Sequence, residues 1–213
     1  TGVLLKRIAA CGSPTFLNNV AGRLIAIVMN ALLLALGGET AVSVYGVMMY
    51  AESLVLPVMY GVCDSLQPAV SYNLGARNFD RVRGLERCCF IACAVVSLLA
   101  AGLLLVFPET TARLFVGDAQ DVLEMSVTAL RLYALTFITR WVSFACQSYL
   151  SALGQSGAAA VISVSVALLL PAAFIALLWP LGLTGIWLNS AAVAAAAGVV
   201  AALLLESRLK KKP

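Results

Sequence analysis

The chain has 213 residues, 62% of them hydrophobic and 11% charged, with a formal net charge of +4 and a mean hydropathy of +0.99. A soluble domain is excluded, since such domains carry about a quarter charged residues. The complete lack of histidine also removes the commonest general base and metal ligand.

Crossing the hydrocarbon core takes about 20 mostly apolar residues in helical form. Apolar stretches fall at about 13–36, 41–72, 84–107, 122–153, 157–179 and 184–205. Each is predicted to be a helix, because backbone groups in lipid must be satisfied within their own segment. The separators are Gly37-Gly38, Gly75 to Arg83, Pro108 to Asp121, Gly154 to Gly157 and Pro180 to Gly182, all rich in turn-forming residues. The reading is an all-α integral membrane protein with six transmembrane helices and a short interfacial helix within 108–121. The chain begins at Thr1 with no signal-peptide pattern and reads as a piece of a longer protein.

Six spans place both ends on one side. Lys6, Arg7, Arg77, Arg81, Arg83, Arg87, Arg208, Lys210, Lys211 and Lys212 fall on that side, and only Arg113 faces them from the other. Ten basic residues against one predict cytoplasmic termini by the positive-inside rule. The net charge therefore needs no nucleic acid to explain it. The closing "ESRLKKKP" serves as a topology signal or as a contact for anionic lipid head groups.

Ionisable groups inside a bilayer cost about 2.5–3.5 kcal/mol each on insertion scales, so they have partners or a function. Arg23 in the first span, Glu52 and Asp64 in the second and Arg140 in the fourth are the transport or ion-coupling candidates. Glu52 and Asp64 are twelve residues apart, which sets them about 120° apart around the helix and about 18 Å apart along it. They cannot share one site, whereas a pair between Glu52 and an arginine is geometrically possible. Such a pair is either a structural lock between helices or a conformation-sensitive proton or cation site. Asn18, Asn19, Asn30, Gln67, Asn73, Gln147 and Asn189 are candidate cavity or gate residues, with interhelical hydrogen bonding as the plainer role of each. The six cysteines, Cys11, Cys63, Cys88, Cys89, Cys93 and Cys146, lack paired C-x-x-C spacing and read as small apolar residues rather than as metal ligands or disulfides.

The stretch "YGVCDSLQPAVSYNLGARNFDRVR", with Gly61, Gln67, Pro68, Tyr72, Asn73, Gly75 and Ala76, resembles the multidrug and toxic compound extrusion (MATE) family of secondary transporters. "GSPTFL", "NALLLALGG" with "AVSVYGV", "SYLSALGQSG" and "GLTGIW" extend the resemblance, in order, over essentially the whole chain. Their order is similar to the second, C-terminal half of such a transporter. Pro68 weakens the helix ladder, Gly61 and Gly75 permit close packing and an abrupt end, and Gln67, Tyr72 and Asn73 are placed to satisfy the freed backbone groups. The segment reads as an inner gate.

The resemblance implies residues 1–213 as one lobe of a twelve-helix inverted-V transporter, with a missing N-terminal six-helix lobe as its partner. It implies export of lipophilic organic cations in exchange for protons or sodium ions by alternating access, with no cofactor and no enzymatic activity, in the bacterial inner membrane. Asn18 and Asn19 stand where some branches carry a carboxylate, so that ion site does not transfer. A proline a few residues beyond "GIW" in related sequences is absent here. The alternative is a flippase for lipid-linked oligosaccharide or peptidoglycan precursors, kept open by Arg23 and Arg140. A membrane enzyme lacks its catalytic set, and a channel lacks a filter motif.

Overall fold

In the computed structural model, residues 2–116 and 120–209 are described, with side chains from 20 to 208 outside that gap. The described residues are helical almost throughout. In chain order they form α1 (Gly2–Gly75), α2 (Phe79–Val106), α3 (Pro108–Val116), α4 (Gln120–Ala152), α5 (Ser156–Val164), a π-helical segment (Ser165–Leu169), α6 (Leu170–Leu178), a 3₁₀ turn (Trp179–Leu181) and α7 (Gly182–Leu209).

Four stretches are long and apolar enough to cross a membrane: Val20–Gly75, Phe79–Val106, Gln120–Ala152 and Ser156–Arg208. This differs from the six separate spans read in the sequence. The reason is that two expected separators are single tight turns rather than loops. The first and last stretches, 56 and 53 residues long, are each more than twice what one crossing takes.

Each long stretch breaks at a glycine. Gly38 leaves helical geometry inside α1, at φ 67° and ψ −162°, and Gly182 does so at the start of α7, at φ 58° and ψ −137°. A Cβ on Gly37 would lie 2.6 Å from the Ala41 Cβ, whereas positions four apart on a continuous helix stand about 5–6 Å apart. A Cβ on Gly185 would lie 2.1 Å from the Leu178 carbonyl oxygen. Met29 and Leu33, before Gly38, share a buried cluster with Ala41, Val44, Val47 and Met48 after it, so α1 is folded back on itself.

The middle of the fold is α4, which packs against α7, α2 and α1. Leu130, Tyr133, Ala134 and Phe137 on it are fully buried. Small residues bring α7 close: a Cβ on Gly198 would lie 3.6 Å from the Thr139 carbonyl oxygen, and Ala194, Ala197 and Ala201 are buried beside it. The alanine-rich face of α7 thus allows close packing. Buried Ser97 of α2 donates to the Phe137 carbonyl at 2.5 Å, which fixes α2 to the same helix.

The interfacial segment is helical, as α3, with Arg113 paired to Glu109 at 2.9 Å one turn earlier. Phe115 stacks on Tyr50 with ring centroids 5.6 Å apart, joining α3 to α1.

Candidate functional site

The described residues enclose a cavity of about 290 Å³. Both arms of α1 contribute to its wall, through Ile25 and Met29 before Gly38 and through Tyr45, Glu52 and Tyr60 after it. From α4 come Arg140, Ser143, Phe144 and Gln147, four positions on one helix face, and from α7 come Asn189, Ser190 and Val193. The last side is irregular. Pro171 cannot donate an amide hydrogen, and its ring crowds the carbonyl four residues back. The π-helical Ser165–Leu169 widens the helix just before it, and Val166, Ala167 and Pro171 all face the cavity. Such π segments often mark functional sites.

Glu52 holds the centre. Arg140 Nη2 stands 2.5 Å from Glu52 Oε1, with the two side chains only 20% and 15% exposed. Tyr133 Oη donates to the other carboxylate oxygen, Oε2. Tyr133 itself is fully buried, so the phenol is a fixed donor rather than a solvated one. A carboxylate gripped through both oxygens satisfies the demand that buried charges be paired and hydrogen-bonded. Asn189 lies nearby on the wall, 4% exposed, and its Oδ1 is a buried acceptor with no hydrogen-bond partner in the described structure.

A smaller cavity of about 70 Å³ adjoins the first, sharing Tyr60, Phe144 and Gln147 with it. Asp64 and Gln67 are on its wall. Gln67 Nε2 donates to Asp64 Oδ1 at 3.1 Å and to Ser148 Oγ at 3.3 Å, and the Ser148 hydroxyl donates to the Cys63 carbonyl at 3.3 Å. Ser71 Oγ donates to the Ala152 carbonyl at 3.0 Å. These bonds pin the last turns of α1 to α4.

The structure thus brings Glu52, Arg140 and Gln147 together at one cavity and Asp64, Gln67 and Gln147 at the next. Arg23 and Asn30 are exposed and outside the described lining of either, so the arginine that meets Glu52 is Arg140. The side chains of Asn18 and Asn19 lie outside the described residues.

The gate segment differs in detail from its reading. The helix runs through exposed Pro68 to Gly75 without interruption. No atom comes within 4 Å of a Cβ built on Gly61 or Gly75, so neither position is a close-packing point. The left-handed turn residue is instead Arg77, at φ 57°. Asn73 Nδ2 donates to the Ala69 carbonyl at 2.8 Å. Gln67 serves the Asp64 side chain rather than the backbone, and Tyr72 is 77% exposed.

Tyr133 was not among the sequence candidates. One signal existed: it precedes Arg140 by seven residues, two helical turns, which puts both side chains on one face. Tyr45 carried the same signal, seven residues before Glu52 on α1, whereas Tyr60 is eight beyond it.

Apolar helices converging their few polar groups on an internal cavity make this a multi-pass membrane protein with the build of a transporter lobe. The MatE family model matches residues 14–178, and the chain belongs to that family. Multidrug export protein MepA of Staphylococcus aureus (strain MSSA476) is 27% identical over 212 residues, 97% of this chain and 46% of MepA. A multidrug resistance MATE family transporter of the MOP superfamily in its outward-facing conformation superposes with a TM-score of 0.86 at 17% identity, over 99% of this chain and 48% of that one. An inward-facing MATE family transporter gives a TM-score of 0.87 at 17% identity, over 100% and 50%. The chain spans about half the length of the curated relatives it matches. The proteins it resembles are transporters and export proteins, not enzymes.

Proposed function

We propose that this chain is the C-terminal lobe of a secondary active antiporter that exports lipophilic organic cations in exchange for protons or sodium ions. In this reading the chain turns back at Gly38 and again near Gly182, which makes six crossings and places both ends in the cytoplasm of a bacterial inner membrane. A second, N-terminal six-helix lobe completes the cavity, and the two rock as rigid bodies to open it to either side. The similar fit to halves of outward- and inward-facing transporters supports a lobe that keeps its internal shape between the two states. Repeat-built transporters commonly place their central site between such lobes.

The observation that carries the proposal is Glu52, a carboxylate in a cavity of mixed polar and aromatic lining, held by Arg140 and Tyr133. An arriving cation or proton competes with Arg140 for that carboxylate, so occupancy and helix packing are linked. Tyr45, Tyr60 and Phe144 supply flat apolar surface and cation-π contact for a lipophilic cation. The flippase alternative needs a strongly cationic cavity for a pyrophosphate. Arg140 is neutralised by Glu52, and Arg23 lies outside the described lining, so the antiporter is favoured.

The test is reconstitution of the full-length transporter in liposomes, with efflux of a fluorescent lipophilic cation followed under an imposed proton gradient and, separately, a sodium gradient. Efflux under either supports the antiporter and names its ion. Silence under both, with folded protein, overturns it in favour of the flippase.

A further inference from the structure

Cys63 of α1 and Cys89 and Cys93 of α2 are far apart in sequence, yet their sulfur atoms all lie within 4.8 Å of one another. The Cys63 and Cys93 sulfurs are 3.5 Å apart. Cys89 and Cys93 sit one helical turn apart on the same face, and Cys63 meets them from the neighbouring helix. The three are 2%, 5% and 0% exposed, with Met59 and Ala145 completing the buried cluster. The absence of C-x-x-C spacing therefore did not exclude a ligand set, because the fold assembles one.

We propose that these three cysteines form a trithiol site for a trivalent thiophilic metalloid, with arsenic(III) as its type occupant. Geometry supports a common centre. Bonds of about 2.3 Å, the length typical of zinc to thiolate, hold three sulfurs about 3.4 Å apart around a pyramidal trivalent centre; the Cys63 and Cys93 sulfurs stand at 3.5 Å, and all three lie within 4.8 Å of one another.

Charge selects the occupant. Soft thiolates favour soft ions, but a monovalent ion on three thiolates leaves two net negative charges and a divalent ion leaves one. An apolar membrane interior penalises both heavily. A trivalent centre leaves none.

The reaction balances without an oxidant. Uncharged arsenous acid, As(OH)₃, exchanges its three hydroxyls for three thiols. Three As–O and three S–H bonds break, three As–S bonds form, and three water molecules leave with the arsenic still trivalent. Cys63 also lines the smaller cavity, beside Asp64, Gln67 and Ser148. The product ties α1 to α2 next to the gate, whichever substrate the transporter carries.

The experiment uses the full-length protein, reduced and purified in detergent, exposed to sodium arsenite and freed of excess by gel filtration. Retained arsenic is measured by mass spectrometry, and its first shell by X-ray absorption on the unmutated protein. The proposal expects three sulfur neighbours. It also expects loss of the retained arsenic in Cys63→Ala and Cys93→Ala, with retention in Cys88→Ala and Cys146→Ala. A two-sulfur shell, undiminished retention in Cys63→Ala, or loss in Cys88→Ala would overturn it, the last by moving the metalloid to the adjacent pair Cys88 and Cys89. Preferential retention of zinc under the same conditions would contradict the charge argument.

Discussion

Tyr133 and Arg140 stand two turns apart on α4 and grip the same carboxylate, one on each oxygen of Glu52. The carboxylate comes from α1, so this contact couples the lobe's central helix to the folded-back helix before it. Removing one partner of a buried ion pair strands the other charge and costs about 3–5 kcal/mol. Arg140→Leu is therefore expected to lower unfolding stability in detergent by about that much. Adding Glu52→Gln to it should recover part of the loss, a non-additivity expected of residues in direct contact. Equal and additive losses in a denaturation cycle would show that the two side chains act independently.

Tyr133→Phe keeps the ring and its edge contact with Phe137 at 5.6 Å but deletes the hydroxyl that donates to Glu52. A hydrogen bond to a charged group contributes about 1.5–3 kcal/mol, so a loss in that range is expected in the same denaturation assay. Were the hydroxyl only a structural prop, ion-driven transport by the folded variant would be unchanged. The coupling account expects its gradient dependence to shift.

Glycine substitutions should separate the tight turns from the helix around Pro68. Gly185→Ala drives a methyl into the Leu178 carbonyl, where the gap is 2.1 Å, and overpacking of this kind costs about 1–3 kcal/mol or more. Gly61→Ala meets open space on a helix and is expected to stabilise by about 0.5–1 kcal/mol through helix propensity. Thermal unfolding of both variants in detergent checks the contrast, and destabilisation by Gly61→Ala would contradict the packing described.

The helical, membrane-embedded class followed from composition, and the family followed from the Gln-Pro and Tyr-Asn-x-Gly-Ala signature around Pro68. That Glu52 needs an arginine was also legible, because a lone carboxylate at depth is costly. Which arginine answers it was not. Arg23 and Arg140 were both within reach along the bilayer normal, and only the rotation of each helix about its axis decides that Arg140 turns inward. The π-helical segment was hidden for a similar reason: Pro171 signals a disturbed ladder but not how neighbouring turns absorb it. The thiol cluster escaped because Cys63 approaches from another helix, a contact that no local spacing encodes.

The central claim is that Glu52 is the coupling group and not merely a lock between helices. The most direct measurement is gradient-driven efflux from liposomes by the full-length transporter and its Glu52→Gln variant, with binding of the fluorescent cation measured alongside to verify a folded cavity. The account predicts that the variant still binds the cation but no longer responds to the imposed ion gradient. Unchanged gradient dependence in a folded Glu52→Gln variant would contradict it and leave the Glu52 and Arg140 pair a structural clamp.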